Sequence, residues 1–270
     1  MASIRILDVY IVSSTILVLT HMSSVLIAHL KIITMIPNII HQVWESGENS
    51  IPIHLVNISN TWKKNHSTWK YEFWDKDRIN RFILQYYPEI YDLYWGYKYD
   101  VQRWDVIRYL ILYKIGGVYI DFDYESIEPI DNFLNNNVCC FGLDPAEHAK
   151  IFNKEYIISN ALIAATPKHP FLKIIIDNLK LNNEVPFNQK FEIVLNSTGP
   201  YYITELYKRY SERENVTLLP ANIFSPLSKN DIAKFSMGEI GVDEIELKLK
   251  DAVAIHYFNG SWYSGGSITN

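Results

Sequence analysis

Within residues 104–123, a helical pattern is followed directly by a double-glycine turn and then by a short β run. Apolar side chains recur at helical spacing over residues 106–113, which predicts a helix with an apolar stripe. Gly116 and Gly117 then allow the positive φ angles that reverse a chain sharply from helix to strand. The β run at residues 118–120 ends in two acids. This order of elements is typical of an α/β fold, in which ligands bind beyond the carboxyl ends of the strands.

The two acids that end the β run are Asp121 and Asp123. Side chains alternate between faces along a strand, so we expect both carboxylates on one side and Phe122 on the other. Mg²⁺ and Mn²⁺ favour oxygen ligands and keep coordination positions open for substrate phosphate. The pattern therefore predicts a site for Mn²⁺ or Mg²⁺, and the alternative is an exposed turn that carries two acids.

Asp105 and Arg108 lie three residues apart on the predicted helix and share one of its faces. One interpretation is a surface ion pair, which contributes little to stability. The other is a carboxylate and a guanidinium that are presented together to a sugar. The sequence around the pair leaves both interpretations open.

Length and composition limit the class of protein. A chain of 270 residues with 48% hydrophobic residues suits a single α/β domain. The net charge of −5 argues against a nucleic-acid partner, which would favour a basic face. Cys139 and Cys140 are the chain's cysteines, and adjacent residues rarely reach disulfide geometry, so no disulfide framework is expected.

Residues 1–34 differ in composition from the rest of the chain. The run from Val9 to Leu30 contains no Asp, Glu, Lys or Arg, and as a helix it would rise roughly 33 Å, enough to cross a bilayer. It is therefore either a membrane anchor or an extension outside the fold. We predict the folded domain over residues 35–270, cytoplasmic and membrane-associated if residues 9–30 form an anchor.

Hydrophobic patterning predicts further elements along this domain. Strands are expected at residues 36–44, 69–74, 138–142, 157–164 and 216–219, and helices at residues 75–85 and 170–181, the first of them capped by Asp75. Loops are expected at residues 86–99 and 144–154.

The stretch at residues 104–123 resembles glycosyltransferase family 32, the DXD sugar transferases that include yeast-type initiating mannosyltransferases and bacterial capsule enzymes. More distantly it is similar to the clostridial glucosylating toxins. The resemblance extends over roughly residues 36–262. It is carried by four further blocks, which are similar to the family's IPxIIHQxW, ISNAxxAA, TGP and HxxxGSW patterns and lie at residues 36–44, 157–164, 198–200 and 256–262.

The resemblance implies a single GT-A-like α/β domain, with a Rossmann-type mixed sheet flanked by helices. It also implies a metal-dependent, retaining hexosyltransferase that moves a sugar from a UDP- or GDP-sugar to a glycan or lipid-linked acceptor, as in polysaccharide, capsule or glycoconjugate biosynthesis. A front-side mechanism is the family expectation.

The resemblance also implies roles for individual residues. Asp105, Arg108, Asp121 and Asp123 would be catalytic, and Asp121, Asp123 and His256 would hold the metal. The donor would be bound by His41, Gln42, Trp44, Asp105, Arg108, Asn160 and Trp262, with Trp44 stacked on the base. Core packing is the alternative for Trp44 and His256, and a strand-end position is the alternative for Asn160.

Two other functions use the same carboxylates. A metal-dependent phosphoryl-transfer enzyme would want a glycine-rich phosphate loop such as GxxxxGK, which the sequence lacks. A non-catalytic sugar-nucleotide-binding protein could keep the fold without the activity. Both acids of the DXD motif are intact, which disfavours this second alternative.

Overall fold

The structure, a computed structural model, describes residues 35–179, 187 and 189–260. From Ile36 onward the chain groups into one compact unit. The predicted anchor at residues 9–30 and Trp262 lie outside the described residues, and the boundary at residue 35 stays a prediction. Within the described ranges, no helix combines the length and the apolar character needed to cross a bilayer.

The strands of the described residues are β1 (Ile39–Val43), β2 (Lys70–Trp74), β3 (Gly117–Ile120), β4 (Tyr124–Ser126), β5 (Cys139–Leu143), β6 (Ile158–Ala165), β7 (Thr217–Leu219) and β8 (Ala254–His256). The α-helices are α1 (Ile53–Asn65), α2 (Lys76–Tyr86), α3 (Tyr91–Gly96), α4 (Asp100–Ile115), α5 (Asp131–Leu134), α6 (Ala146–Ile151), α7 (Pro170–Leu179), α8 (Lys190–Ser197), α9 (Pro200–Arg209), α10 (Ala221–Phe224), α11 (Lys229–Ser236) and α12 (Val242–Leu249).

Six of these strands form one mixed sheet in the order β2-β1-β3-β6-β5-β7. The β1–β2, β1–β3 and β5–β7 pairs are parallel, whereas β6 runs antiparallel to both β3 and β5. A separate antiparallel pair joins β4 to β8. The predicted single-domain, GT-A-like α/β architecture with a mixed sheet is confirmed, and β7 is the edge strand expected near residues 216–219.

Side-chain alternation gives the sheet an apolar layer on each face. Tyr119 and Ile163 pack on one face with buried residues of α4, α7 and α9. Their neighbours Val118 and Leu162 pack on the other face with Trp62 of α1 and with residues of α5 and α10. Helices on both faces bury the central strands, which explains why these strands are continuously apolar.

Both positions of the double-glycine turn require glycine, because their φ angles are positive and because neighbouring atoms leave no room for a Cβ. Gly116 has φ +74 and Gly117 has φ +103. A Cβ at Gly116 would lie 2.6 Å from the Cδ of Pro167, and one at Gly117 would lie 2.6 Å from the carbonyl oxygen of Ile39. The turn therefore connects α4 directly to the central strand β3, which lies between β1 and β6.

Several predicted boundaries need correction. β3 spans Gly117–Ile120, in agreement with the predicted run at residues 118–120, but the acids treated as part of its alternating pattern lie beyond it, in a turn that leads into β4. Each of the two predicted loops contains a short helix, α3 within residues 86–99 and α6 within residues 144–154. The predicted cap of α2 is confirmed, because the Asp75 side chain accepts a hydrogen bond of 2.7 Å from the backbone N–H of Arg78.

Candidate active site

A cavity of about 330 Å³ opens at the edge of the sheet where β1, β3 and β5 end and β6 begins. Trp44 follows β1, Asp121 and Asp123 follow β3, Asp144 follows β5, and Asn160 lies near the start of β6; all of them line the cavity. The sheet order thus brings residues that are distant in sequence to one edge, as expected for a ligand site in an α/β sheet.

Asp121, Asp123 and His256 come together at this cavity, with one potential ligand atom from each within 4.8 Å of the others. The pairing of β4 with β8 explains this proximity, because His256 lies directly opposite Tyr124, the residue after Asp123. His256 is buried, and its ring stacks on the Tyr124 ring at 4.8 Å. The predicted trio is therefore brought together by a strand pair that sequence patterning did not anticipate.

Two carboxylates and an imidazole are a suitable donor set for Mn²⁺ or Mg²⁺. The Nδ1 atom of His256 is buried without a hydrogen-bond partner among the described residues, and its Nε2 lies 3.4 Å from Asp123 Oδ1. The ring nitrogen directed at the acids is Nε2, and one potential ligand atom from each of the three residues lies within 4.8 Å of the others. The residues present therefore fit the predicted ion.

Charge interactions differ for the two acids. Burial raises the pKa of Asp121, although Arg108 opposes this effect. Burial acts in the same direction on Asp123, but His256 and the backbone N–H of Asn259 outweigh it and leave the pKa of Asp123 below its usual value. Asp123 is therefore the acid that stays ionised most readily, which suits a cation ligand.

The Asp105–Arg108 pair is not on the surface. Both side chains are 5% exposed, and Arg108 Nη2 lies 3.2 Å from Asp105 Oδ1 while its Nη1 lies 3.3 Å from Asp121 Oδ1. Nη1 also donates to the backbone oxygen of Asn160 at 2.7 Å, and Nε donates to that of Trp104 at 3.0 Å. The surface interpretation is wrong: this guanidinium joins the helix to the DXD turn at the cavity wall.

Asp105 accepts hydrogen bonds from two further elements. Asn160 Nδ2 donates to its Oδ1 at 2.7 Å, and Thr198 Oγ1 donates to its Oδ2 at 2.9 Å. Burial raises the pKa of Asp105 to about 6, while Arg108, Thr198 and Asn160 act against that shift. Thr198 is fully buried and lies just before α9, so its contact with α4 could not be inferred from local pattern.

Tyr119 was also missed by sequence reasoning, which placed it only as a strand residue. Its hydroxyl donates to Asp121 Oδ1 at 2.6 Å, and its ring lies 4.5 Å from the Arg108 guanidinium carbon. This residue therefore orients one acid of the DXD turn from within β3. The signal in the sequence is its spacing two residues before Asp121, which places both side chains on one face.

Trp44 lines the cavity, and its ring meets the Phe122 ring edge-on at a centroid distance of 5.6 Å. Its Nε1 donates to Ser50 Oγ at 2.9 Å, which holds the indole in place. The side chain is thus at the cavity and not in the core. Stacking on a base stays a prediction.

His41 and Gln42 do not line the cavity. Both are fully buried; His41 Nε2 lies 2.9 Å from the Gly116 oxygen, and His41 Nδ1 accepts from Trp74 at 3.1 Å. Gln42 accepts from Ser59 at 2.5 Å. Burial lowers the pKa of His41 to about 4, so its ring is neutral. These contacts correct the expectation of direct donor binding, because both side chains are committed to holding β1 against its neighbours.

Comparison with known proteins agrees with this geometry. Residues 52–139 match the family described as "Glycosyltransferase sugar-binding region containing DXD motif". Inositol phosphoceramide mannosyltransferase 1 of Schizosaccharomyces pombe is 33% identical over 194 residues, which cover 70% of this chain and 57% of that protein. An uncharacterized glycosyltransferase of Acanthamoeba polyphaga mimivirus is 32% identical over 196 residues, covering 71% of this chain and 74% of that protein.

The cavity beside the α/β sheet thus combines two acids that follow the central strand β3 with a histidine of β8. The chain belongs to the glycosyltransferases with the DXD sugar-binding region, the family 32 type that its sequence resembles. It spans about half the length of the fission-yeast mannosyltransferases it matches, 57% of one and 48% of a second.

Among solved structures, the UDP-bound glycosyltransferase domain from the YGT toxin aligns at 10% identity and a TM-score of 0.49, covering 81% of this chain and 89% of that one. These values are low, so the family assignment is based on the sequence relatives.

Proposed function

We propose that this chain is a metal-dependent, retaining hexosyltransferase that moves a sugar from a UDP- or GDP-sugar to a hydroxyl group of a glycan or lipid-linked acceptor. The observation that carries the proposal is the cluster of Asp121, Asp123 and His256 beside the buried Asp105–Arg108 pair in one cavity. The names of the yeast relatives favour mannose as the transferred sugar.

In the proposed reaction, the bond between the anomeric carbon and the diphosphate oxygen breaks, and its electron pair leaves with the nucleoside diphosphate. The acceptor oxygen forms the new bond to the same carbon, and its proton passes to the departing diphosphate. Asp121, Asp123 and His256 would hold Mn²⁺ or Mg²⁺, which when bound would supply positive charge that stabilises the leaving group.

The chain's own residues orient the donor in this proposal. Arg108 would hold Asp121 in position and present positive charge beside the diphosphate. Asp105 and Asn160 are hydrogen-bonded to each other and line the cavity, so they would receive and orient hydroxyl groups of the transferred sugar. Trp44 would stack on the base at the β1 end.

The proposal is tested by measuring nucleoside diphosphate release by the purified full chain. The donors are GDP-mannose, UDP-galactose, UDP-glucose and UDP-N-acetylglucosamine, each with Mn²⁺, with Mg²⁺ and with excess EDTA. We expect release from at least one donor, lost with EDTA and restored by added metal. Metal-dependent binding of a donor without any release would instead favour the non-catalytic alternative.

Thr198 provides a second test, because its hydroxyl stabilises the ionised form of Asp105. Thr198→Val keeps the side-chain shape but removes that donor, and a hydrogen bond to a charged group contributes about 1.5–3 kcal/mol. We expect kcat/KM for the donor at pH 7 to fall about tenfold or more. The pKa of Asp105 should rise above its value of about 6, which moves the acid limb of the pH profile upward.

Thr198→Ser is the matched control, since it keeps the hydroxyl while losing a methyl group. It should retain the wild-type pH profile. An equal loss in both variants, with no shift of the acid limb in either, would show that Thr198 contributes only to packing.

A further inference from the structure

The cavity wall beyond β5 contains a carboxylate that the proposed reaction does not use. Asp144 directly follows β5, lines the cavity and has a side chain that is 14% exposed. The pairing of Leu143 with Ile158 places Asp144 at the same sheet edge as Asn160, two residues further along β6. Asp144 is therefore part of the same site but lies on a different strand from the groups assigned to the donor.

The order of strands gives the cavity a direction. Along the sheet edge, Trp44 follows β1, Asp121 follows β3, Asn160 lies on β6 and Asp144 follows β5, and these strands are neighbours in that order. A donor with its base at Trp44 and its diphosphate at Asp121 has its sugar at Asn160. The next position along the edge, at Asp144, is then where a second substrate can approach the sugar.

The Asp144 carboxylate is available to a ligand. The nearest ring nitrogen is His148 Nδ1, which lies 3.9 Å from Asp144 Oδ2, too far for a hydrogen bond. The other ring nitrogen, Nε2, accepts a hydrogen bond of 3.0 Å from the backbone N–H of Lys229. His148 is thereby fixed behind the carboxylate and leaves its oxygens able to accept from hydroxyl groups.

An aromatic ring shares the cavity with this carboxylate, and both lie close to the His148 ring. Phe258 lines the cavity, and its ring centroid is 4.6 Å from that of His148 and 3.9 Å from that of His256. Its φ angle is +48, a region that bulky residues rarely adopt, and such strain costs on the order of 1–3 kcal/mol. The next residue, Asn259, donates its backbone N–H to Asp123 Oδ2 at 2.8 Å, which holds the segment at the cavity.

We propose that Asp144 and Phe258 form the acceptor subsite and bind a polyhydroxylated six-membered ring. The carboxylate accepts hydrogen bonds from the ring's hydroxyl groups, while the aromatic face covers its C–H groups. Such a ring occurs both as a hexose of a glycan and as the inositol of a lipid headgroup. This inference rests on the proposed glycosyl transfer and assigns where its second substrate binds.

The test compares two reactions of the full chain with its active donor and metal: donor hydrolysis in water, and transfer to an added acceptor. The acceptors are methyl α-D-mannopyranoside for the glycan source and myo-inositol 1-phosphate for the lipid headgroup source. In the wild type, one of them should increase nucleoside diphosphate release and yield a glycosylated product. Whichever acts as acceptor identifies the source.

For Asp144→Asn we expect the ratio of transfer to hydrolysis to fall about tenfold or more, mainly through a higher KM for the acceptor, because a hydrogen bond to a charged group is lost. Phe258→Leu should lower the same ratio by a smaller factor. Asp100→Asn is the matched control, since Asp100 lines the cavity with a side chain that is 66% exposed, and it should keep the wild-type ratio.

Three results would overturn the inference. If Asp144→Asn lowers hydrolysis and transfer equally, the carboxylate acts on the donor or the metal, and the proposed function survives without this subsite. If neither acceptor changes the wild-type rate while hydrolysis proceeds, the assigned acceptor class is wrong. If the wild type releases no nucleoside diphosphate from any donor, the proposed function fails and this inference fails with it.

Discussion

Asp123→Ala should lower metal-dependent nucleoside diphosphate release by about 100-fold or more, the scale seen when a preorganised electrostatic contact to a developing charge is removed. Asp123 combines a lowered pKa with a position 3.4 Å from His256 Nε2, so its removal deprives the ion of its most readily ionised ligand. Calorimetric titration with GDP and UDP, with and without Mn²⁺, should show loss of the metal-dependent part of binding.

The variant should remain folded. Asp123 contributes to raising the pKa of Asp121 because the two carboxylates repel each other. Removal of one acid relieves that repulsion. Circular dichroism and thermal unfolding in EDTA test whether the variant is folded and how stable it is. Asp177→Ala is the control, since Asp177 is a half-exposed acid paired with Lys173. Metal-dependent nucleotide binding of wild-type strength in Asp123→Ala would contradict the assigned ion site.

The helix, turn and strand at residues 104–123 were predictable because their signals are local. Helical spacing, paired glycines and a short apolar run each depend on neighbours in the sequence. The path of the chain after the strand was not, since β4 pairs with β8, which begins at residue 254. A pairing partner so far along the chain leaves no trace in the strand itself.

The burial of Asp105 and Arg108 shows a second limit of local reasoning. Their spacing correctly predicts that they share a helix face, but the same spacing occurs in exposed ion pairs. The pair is buried because Asn160 of β6 and Thr198, which lies just before α9, contact Asp105 from more than 50 residues away in sequence. The motif resemblance assigned a donor-binding role to Asn160, whereas Thr198 entered only as part of the TGP block, with no role for its side chain.

His41 and Gln42 show how a motif can be identified while its physical role is misassigned. The block at residues 36–44 was correctly placed as a buried first strand. Resemblance then suggested that its polar residues face the donor. Their hydrogen bonds to Gly116 and Ser59 show that they instead fix β1 beside the glycine turn and α1. At the cavity, the block contributes its last two residues, Val43 and Trp44.

Arg108→Met should lower the free energy of unfolding by about 3–5 kcal/mol, because breaking a buried ion pair leaves uncompensated charge. The guanidinium lies between Asp105 and Asp121 and donates to two backbone oxygens, whereas methionine offers no donor. Chemical denaturation in EDTA at pH 8 measures the loss without a contribution from bound metal. Arg209→Met, at an exposed site at the end of α9, should change stability by less than about 0.5 kcal/mol.

The loss in Arg108→Met should depend on pH in a defined direction. Burial already raises the pKa of Asp105 from 3.8 to about 6 against the opposing effect of Arg108, so removal of Arg108 raises it further. A carboxyl whose pKa is higher in the folded state binds its proton on folding, and stability falls as pH rises through the interval between the two values. In the wild type that fall ends near pH 6, but in the variant it continues to higher pH. The difference in the free energy of unfolding between the wild type and Arg108→Met should therefore be larger at pH 8 than at pH 5. An equal difference at both pH values would show that Arg108 does not compensate the buried acids.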